Sequence, residues 1–415
     1  MPRGALFSVG GTPAPIIEAL KHSPVDSALF VVSELSEEQV SAAILPSIGY
    51  APQWELDRVS DPDDLNSCYQ QIRTALNDWI ERRRLRDEDL YFDLTGGTKP
   101  MSAALTLAAV ERIPRYHYVS GQREKSGLGT VVTGTERPVT GLNPWTQIAI
   151  RQRELASSLL AQGHPDAAGA VLDQAATTAS KEPETLKAYA GLCRTLARLD
   201  LFDFKSALRE LGQSQPRLEI VFDQRRETRL LAWVRELRIH IQELDAERSR
   251  QQDFPRSLLE LLANARRRGK QARYDDAIAR LYRAVELFAQ NHLHQAFGAL
   301  SGRVPLDSFD PILADKLRHA FPDDQIEDEK GGRLQLGCAK AFAALAYSPL
   351  EDDHQLPEVY ERLKNALGKR NDSWLAHGTR PASTSDFDEM WKLVLQELSI
   401  ASEALPDWPQ IRFTD

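Results

Sequence analysis

The sequence predicts an α/β domain followed by an all-helical remainder, and three observations carry that prediction. Up to about Leu142, short apolar runs rich in β-branched residues alternate with segments of helical period, the pattern of βαβ units around a parallel sheet. Beyond Pro144 the strand pattern stops and apolar residues recur at spacings of three and four. With 415 residues and 42% apolar content, the chain is long enough for two or three separate cores.

Taken in order, the expected strands cover residues 5–9, 28–32, 53–59, 89–94 and 115–119, with helices between them at 13–21, 37–45, 62–83 and 101–112. Residues 130–140, with Gly134 near the middle, read as a terminal hairpin. In the helical part, 154–176 and 261–290 are Ala-rich and Gly-interrupted, reminiscent of tetratricopeptide hairpins, but with no copies between them they read as isolated hairpins of a helical scaffold. A polar stretch at 245–254 marks a boundary between a helical connector and a C-terminal helical domain, and 323–333, with Gly331 and Gly332, reads as a loop. The last helix is expected at 386–403, with Phe387, Met390, Trp391, Val394, Leu395 and Leu398 on its core side. The resulting domain limits are 1–143, 144–252 and 253–415.

Composition narrows the function classes. A net charge of −9 argues against stable binding of long duplex DNA, which needs a basic face. Cys68, Cys193 and Cys338 are far apart and form no CxxC pair, so neither a disulfide framework nor a zinc site is expected, and no metal or cofactor is called for. No uncharged apolar run approaches the roughly 20 residues that cross a bilayer, and no signal peptide is visible. The expectation is a soluble, cytoplasmic protein without a membrane partner.

Two turns stand where strand passes into helix: Ser8-Val9-Gly10-Gly11-Thr12-Pro13 and Asp93-Leu94-Thr95-Gly96-Gly97-Thr98-Lys99-Pro100. In an open parallel sheet such turns line a common crevice at the carboxyl ends of the strands. Glycines let the backbone approach a ligand, hydroxyls and helix-start amides bind phosphate oxygens, and Lys99 adds positive charge. Neither turn has P-loop or dinucleotide-fingerprint spacing, so a standard NTPase or nicotinamide dehydrogenase is disfavoured. Tight βα turns use paired glycines without any ligand too, and that reading weighs evenly for Gly10-Gly11 alone. The longer turn favours phosphate contact.

The segment Asp93-Leu94-Thr95-Gly96-Gly97-Thr98-Lys99-Pro100-Met101, with the earlier Val9-Gly10-Gly11-Thr12-Pro13, resembles the CARF domain of CRISPR-associated sensors, in the branch typed by a DxTGGTKxM motif. The resemblance covers about the first 140 residues. It implies a Rossmann-like module that binds cyclic oligoadenylate in a pocket shared across a homodimer axis. Matched position by position, Thr95, Gly96, Gly97, Thr98 and Lys99 carry over as ring contacts, with Gly10, Gly11 and Thr12 beside them. Ser33 and the Ser120-Gly121-Gln122-Arg123 loop also end strands and are weaker candidates.

Near the other end, Arg370-Asn371-Asp372-Ser373-Trp374-Leu375-Ala376-His377-Gly378 resembles the R-x4-6-H motif of HEPN ribonucleases, including the Asn after the Arg. The spacing by itself is common, and Arg112 with His117 and Arg235 with His240 share it. The first of these falls in the α/β part and the second on an Arg-rich connector helix, where Arg238 and His240 read as solvated. His292 and His294, on a helix expected near 281–297, read as surface or capping residues. The chemistry suits the third pair: RNA carries its own 2′-hydroxyl nucleophile, His exchanges protons near neutral pH, and Arg grips phosphate. Arg370, Asn371 and His377 are the catalytic candidates. On one continuous helix, positions 370 and 377 would lie roughly 10 Å apart along one face. Alternatively, Gly368 begins a new helix there.

Together the two resemblances imply a CARF–HEPN architecture. The expected fold is a Rossmann-like α/β domain, an all-α connector and an all-α HEPN-like domain. The expected function is a homodimeric, cyclic oligoadenylate-activated, metal-independent endoribonuclease that cleaves single-stranded RNA in type III CRISPR defence, leaving 2′,3′-cyclic phosphate ends. Two alternatives remain open at this point: a ligand-sensing adapter without nuclease activity, and a CARF domain that degrades the ring.

Overall fold

The computed structural model describes residues 3–122, 135, 137–143, 149–179, 181–250, 254–298, 303–305, 310–320, 333–371 and 379–413. The chain divides into two compact units, residues 1–151 with 178–182, and residues 152–177 with 183–415.

The first unit is built on a six-stranded sheet of order β3-β2-β1-β4-β5-β6, with β1 at Gly4–Ser8, β2 at Ser27–Val32, β3 at Gln53–Arg58, β4 at Leu90–Asp93, β5 at Arg115–Ser120 and β6 at Arg137–Leu142. The first five strands run parallel and β6 is antiparallel to β5. Strands β1 and β2 are buried along their whole length, as central strands covered on both faces must be. Each strand expected from the sequence lies within a residue of its predicted place, except that β3 and β4 are slightly shorter. Of the expected terminal hairpin, 130–134 and 136 lie outside the described residues, and 137–140 contribute to β6.

Helices cover both faces. On one, α1 (Ala14–His22) lies beside α2 (Glu37–Gln39), which passes through a π-helical turn at Val40–Ile44 into α3 (Leu45–Ser47). Pro46, at the start of α3 just after the wide turn, has no N–H with which to close an α-helical bond back into it. On the other face, α4 (Leu65–Arg83) and α5 (Lys99–Ala109) bury Ile72, Leu76, Trp79, Met101 and Leu105 against Leu6, Leu29 and Phe92. Trp79 is fully buried, and its indole N–H donates to the Ser27 hydroxyl at 3.1 Å.

The second unit consists mainly of helices: α6 Ile150–Ala161, α7 Pro165–Thr178, α8 Pro183–Asp200, α9 Phe204–Gln224, α10 Thr228–Arg250, α11 Pro255–Lys270, α12 Tyr274–Phe297, α13 Pro311–Ala320, α14 Cys338–Leu345, α15 Leu356–Asn371 and α16 Thr384–Glu397. A short β7–β8 pair, Arg303–Pro305 with Arg333–Gln335, lies among them. Short turns with a residue at positive φ join α6 to α7 (Gly163, 82°) and α11 to α12 (Ala272, 57°), the two expected hairpins. A third, α8 to α9, turns at Phe202 (φ 58°) and was not anticipated, because its Leu201-Phe202-Asp203 turn has neither glycine nor proline.

Two further expectations are corrected, and a third falls largely outside the described residues. The polar stretch from 245 is helical up to Arg250, since charged residues with good helix propensity prolong α10 on its solvent side. The last long helix ends at Glu397, before 403, where Ser399 enters the left-handed region (φ 52°). The loop expected at 323–333 lies outside the described residues except for Arg333, which begins β8. At the C-terminus, Phe413 packs on Tyr189 with ring centroids 4.8 Å apart, and its carbonyl accepts from buried Arg153 at 3.0 Å.

Candidate functional sites

The strand order reverses direction between β1 and β4, so the loops that follow these two strands flank the switch point of the sheet, where ligands bind in open α/β folds. These are the two turns singled out from the sequence, and they pack directly on each other. A Cβ on Gly10 would lie 2.8 Å from the Gly97 amide nitrogen, and one on Gly96 would lie 2.1 Å from the Ser8 carbonyl oxygen. Gly97 holds φ +81°, open to glycine at no steric cost. The glycines therefore exist because two backbones meet.

Side chains lock the longer turn from within. The Ser8 and Ser102 hydroxyls both donate to the Gly96 carbonyl, at 2.6 and 2.5 Å. The Thr98 hydroxyl caps α5 by accepting from the Met101 amide at 3.3 Å, and donates to the Pro62 carbonyl at 2.5 Å. The Thr95 hydroxyl accepts from the Val119 amide at 2.8 Å, while the Thr95 amide donates to Asp93 at 2.8 Å. Two of the hydroxyls expected to face a ligand thus hold the loop itself. Thr12 and Lys99 are exposed, and Lys99 makes no ion pair among the described residues.

What the turns leave free is backbone. The amides of Gly10, Gly11, Thr12, Gly96, Gly97 and Thr98 donate to no protein acceptor among the described residues. Six unspent N–H groups on two touching loops, beside the N-terminus of α5, give this surface the donor geometry that suits an anion.

Beneath this surface lies Asp93, 1% exposed, with one carboxylate oxygen on Thr95 and the other without a protein partner. Burial pushes its pKa up to about 6, only partly opposed by the Thr95 hydrogen bonds. Its register partner on β5 is His117, which shares Thr140 at 2.7 Å through Nε2, stacks on Tyr91 at 4.0 Å and leaves Nδ1 unpartnered. Burial, aided by repulsion from His22 and Arg115, pulls His117 down to about 4. Neither residue was singled out as a site residue by sequence reasoning, although Asp93 opens the motif.

In the helical unit, Arg370 and Asn371 are the last two residues of α15, and His377 lies outside the described residues. Gly368 sits inside α15, so it does not begin a new helix. The competing pairs are accounted for structurally: Arg112 pairs with Asp87 at 2.9 Å, and Arg235 with Glu219 at 3.2 Å.

His240 is not solvated, as had been expected. Its Nε2 lies 2.9 Å from Glu260, a carboxylate 1% exposed that also receives Arg267 at 2.6 Å. Arg267 in turn reaches Asp200 at 2.8 Å and covers the Trp408 ring at 4.4 Å. Asn264 donates to the same Asp200 at 2.9 Å. Apolar residues on three neighbouring helices draw these charges out of water together, which no single-helix pattern reveals. His292, expected at the surface or as a cap, is partly buried: its Nδ1 lies 2.7 Å from buried Asp353, whose other oxygen accepts the Ser348 hydroxyl at 2.7 Å. Among the described residues no three His, Cys, Asp or Glu side chains converge as a metal site requires, and no helix is long and apolar enough to cross a membrane.

Comparison with known proteins completes the picture. Residues 246–400 match the family model of the Csm6 HEPN domain. The fold is similar to that of Enterococcus italicus Csm6 bound to cyclic hexa-2′-fluoro-hexa-dAMP, with TM-score 0.56 and 10% identity over 96% of this chain and 93% of that one. More distant is Can2 from Sulfobacillus thermosulfidooxidans in complex with cyclic tetra-adenylate, at TM-score 0.25 and 11% identity over 46% of this chain and 65% of that one. No curated protein sequence matches the chain. An α/β sheet with its paired glycine turns at the switch point, followed by a helical unit whose residues 246–400 match the Csm6 HEPN model, is the architecture this chain shares in fold with that Csm6 structure.

Proposed function

We propose that the chain is an endoribonuclease that cyclic oligoadenylate switches on, acting as a homodimer in the cytoplasm. The observation that carries this reading is the pair of touching turns with six unspent amides, in a chain whose helical unit carries the Csm6 HEPN match. A ring of adenylates presents one phosphate per nucleotide. Gly10, Gly11 and Thr12 on one turn, and Thr95, Gly96, Gly97, Thr98 and Lys99 on the other, meet those phosphates through amides and one ammonium. A two-fold axis repeats the same contacts for the other half of the ring. We place the sensor at 1–143, the connector at 144–252 and the nuclease domain at 253–415. The HEPN match weighs against an adapter without nuclease activity.

In the nuclease domain, Arg370 binds the scissile phosphate, Asn371 orients it, and His377 moves the proton. The 2′-hydroxyl attacks phosphorus as its proton leaves to a base, the P–O5′ bond breaks, and O5′ takes a proton. The products are a 2′,3′-cyclic phosphate and a 5′-hydroxyl, and no metal takes part. The test is cleavage of a fluorogenic single-stranded RNA in EDTA, with and without cyclic tetra- and hexa-adenylate. Cleavage should require one of the rings, and His377→Ala should abolish it while ring binding by calorimetry persists. Ring binding with no cleavage by the unmodified protein would overturn the nuclease assignment.

A further inference from the structure

A cleft of about 660 Å³ opens in the helical unit between the α8–α9 turn, the end of α10, the start of α11 and the middle of α12. That volume is in the range of small-ligand sites. Its floor is apolar, with Phe204, Leu261 and Leu287 buried, while Phe202 and Phe254 stand half-buried at its edge. Phe202 meets Phe204 edge-on, with ring centroids 6.3 Å apart.

The polar groups of the cleft are unevenly satisfied. Arg283 is paired with Glu286 at 3.2 Å and donates to the Gln290 side-chain oxygen at 3.1 Å. The amide nitrogen of Gln290 is left without a protein acceptor among the described residues. The Asp203 carboxylate is spent on capping α9, where it accepts from the Ser206 amide. Arg248 donates only to the Phe202 carbonyl, at 3.3 Å, and meets no carboxylate among the described residues. An aromatic edge over an apolar floor, with a guanidinium and an amide donor that meet no acidic or acceptor side chain among the described residues, together match a nucleotide: a flat base with a hydrogen-bonding rim, joined to an anionic phosphate. An apolar peptide side chain would fill the floor but cover Arg248 without a counter-charge, at a desolvation cost.

We propose that this cleft is a subsite for single-stranded RNA, taking one base against Phe202 and Phe254 and the adjoining phosphate on Arg248. The proposal rests on the ribonuclease reading above. Because the subsite binds RNA away from the scissile bond, it lowers KM and leaves kcat alone.

The experiment uses the full chain with its activating ring. KM and kcat for a single-stranded RNA are compared between the unmodified protein, Arg248→Glu and Phe202→Gly. Glycine suits the left-handed backbone at 202, so that variant keeps the turn. KM should rise roughly five-fold or more in each, the loss of about one stacked base, with kcat unchanged. In parallel, RNA carrying 4-thiouridine is photo-crosslinked to the unmodified chain without ring, and adducts are expected on Phe202 or Phe254. Unchanged KM in both variants, a loss confined to kcat, or adducts only elsewhere would overturn the subsite. If the unmodified chain cuts no RNA, the ribonuclease reading fails, and crosslinking still decides the cleft.

Discussion

The loop crevice of the α/β unit and the ion cluster of the helical unit both hold ionisable groups out of water, and they neutralise them by opposite means. Asp93 is buried with no cation beside it among the described residues, so the proton itself supplies the compensation and the pKa rises to about 6. Glu260 is buried just as deeply. Burial would push it up too, but Arg267 and His240 more than offset that and hold it below the ordinary carboxylate range. The difference shows that depth alone does not decide the charge state of a carboxyl group; the nearest donor does. It also separates the roles of the two regions. The paired cluster fixes three helices in register, whereas the crevice keeps unspent donors on its surface and a titratable pair beneath it.

The sharpest way to break this contrast is to take the cation from the helical cluster. Arg267→Met leaves Glu260 and Asp200 short of a partner and should cost about 3–5 kcal/mol in chemical unfolding. The double variant Glu260→Leu with Arg267→Met should recover much of that loss, because a well-packed apolar pair tolerates burial. A double variant as unstable as the single one would show that pairing is not what the cluster contributes.

The crevice pair should respond to pH instead. Asp93 holds its proton more tightly folded than unfolded, with a pKa of about 6 against 3.8. Its contribution is complete below about 4 and is lost as pH rises through about 6. His117 holds its proton more weakly folded, at about 4 against 6.5. Its contribution is present above 6.5 and is lost as pH falls toward 4. The two slopes oppose each other, so stability of the β4–β5 region should change little between pH 4 and 6.5. Asp93→Asn should uncover a rise with pH over that range, and His117→Gln a fall, each on the order of 1–3 kcal/mol. Hydrogen exchange of the β4 and β5 amides reads both slopes, and matching slopes in the two variants would refute the opposed titration.

The smallest effect belongs to the loop lock. Thr98→Val removes the α5 cap and the bond to Pro62, and should cost about 1 kcal/mol, seen as faster exchange in the first turn of α5. Ring binding should survive, since the amides and not that hydroxyl make the anion surface.

Much of the α/β unit was legible in the sequence because its signals are local. Strands such as Ala28 to Val32 are continuous apolar runs, and the two glycine turns stand where strands end. The role of Thr95 and Thr98 was less legible: a hydroxyl in a phosphate-binding pattern looks the same whether it faces a ligand or, as here, another loop. The α8–α9 hairpin escaped because Phe202 adopts the left-handed conformation without glycine, held there by packing. The ion pairs of His240 and His292 were not legible because their carboxylate partners lie 20 and 61 residues away.

By itself the sequence determined the order of strands and helices in the α/β part, the largely helical character of the remainder and the positions of the Gly10–Gly11 and Gly96–Gly97 turns, since each depends on residue type and near-neighbour spacing. Only the tertiary structure decided that those turns touch, that their amides stay unspent, and that one buried carboxyl group takes a proton while another takes an arginine. Those outcomes depend on which groups distant in the chain arrive within hydrogen-bond reach, and no periodicity along the chain encodes that distance.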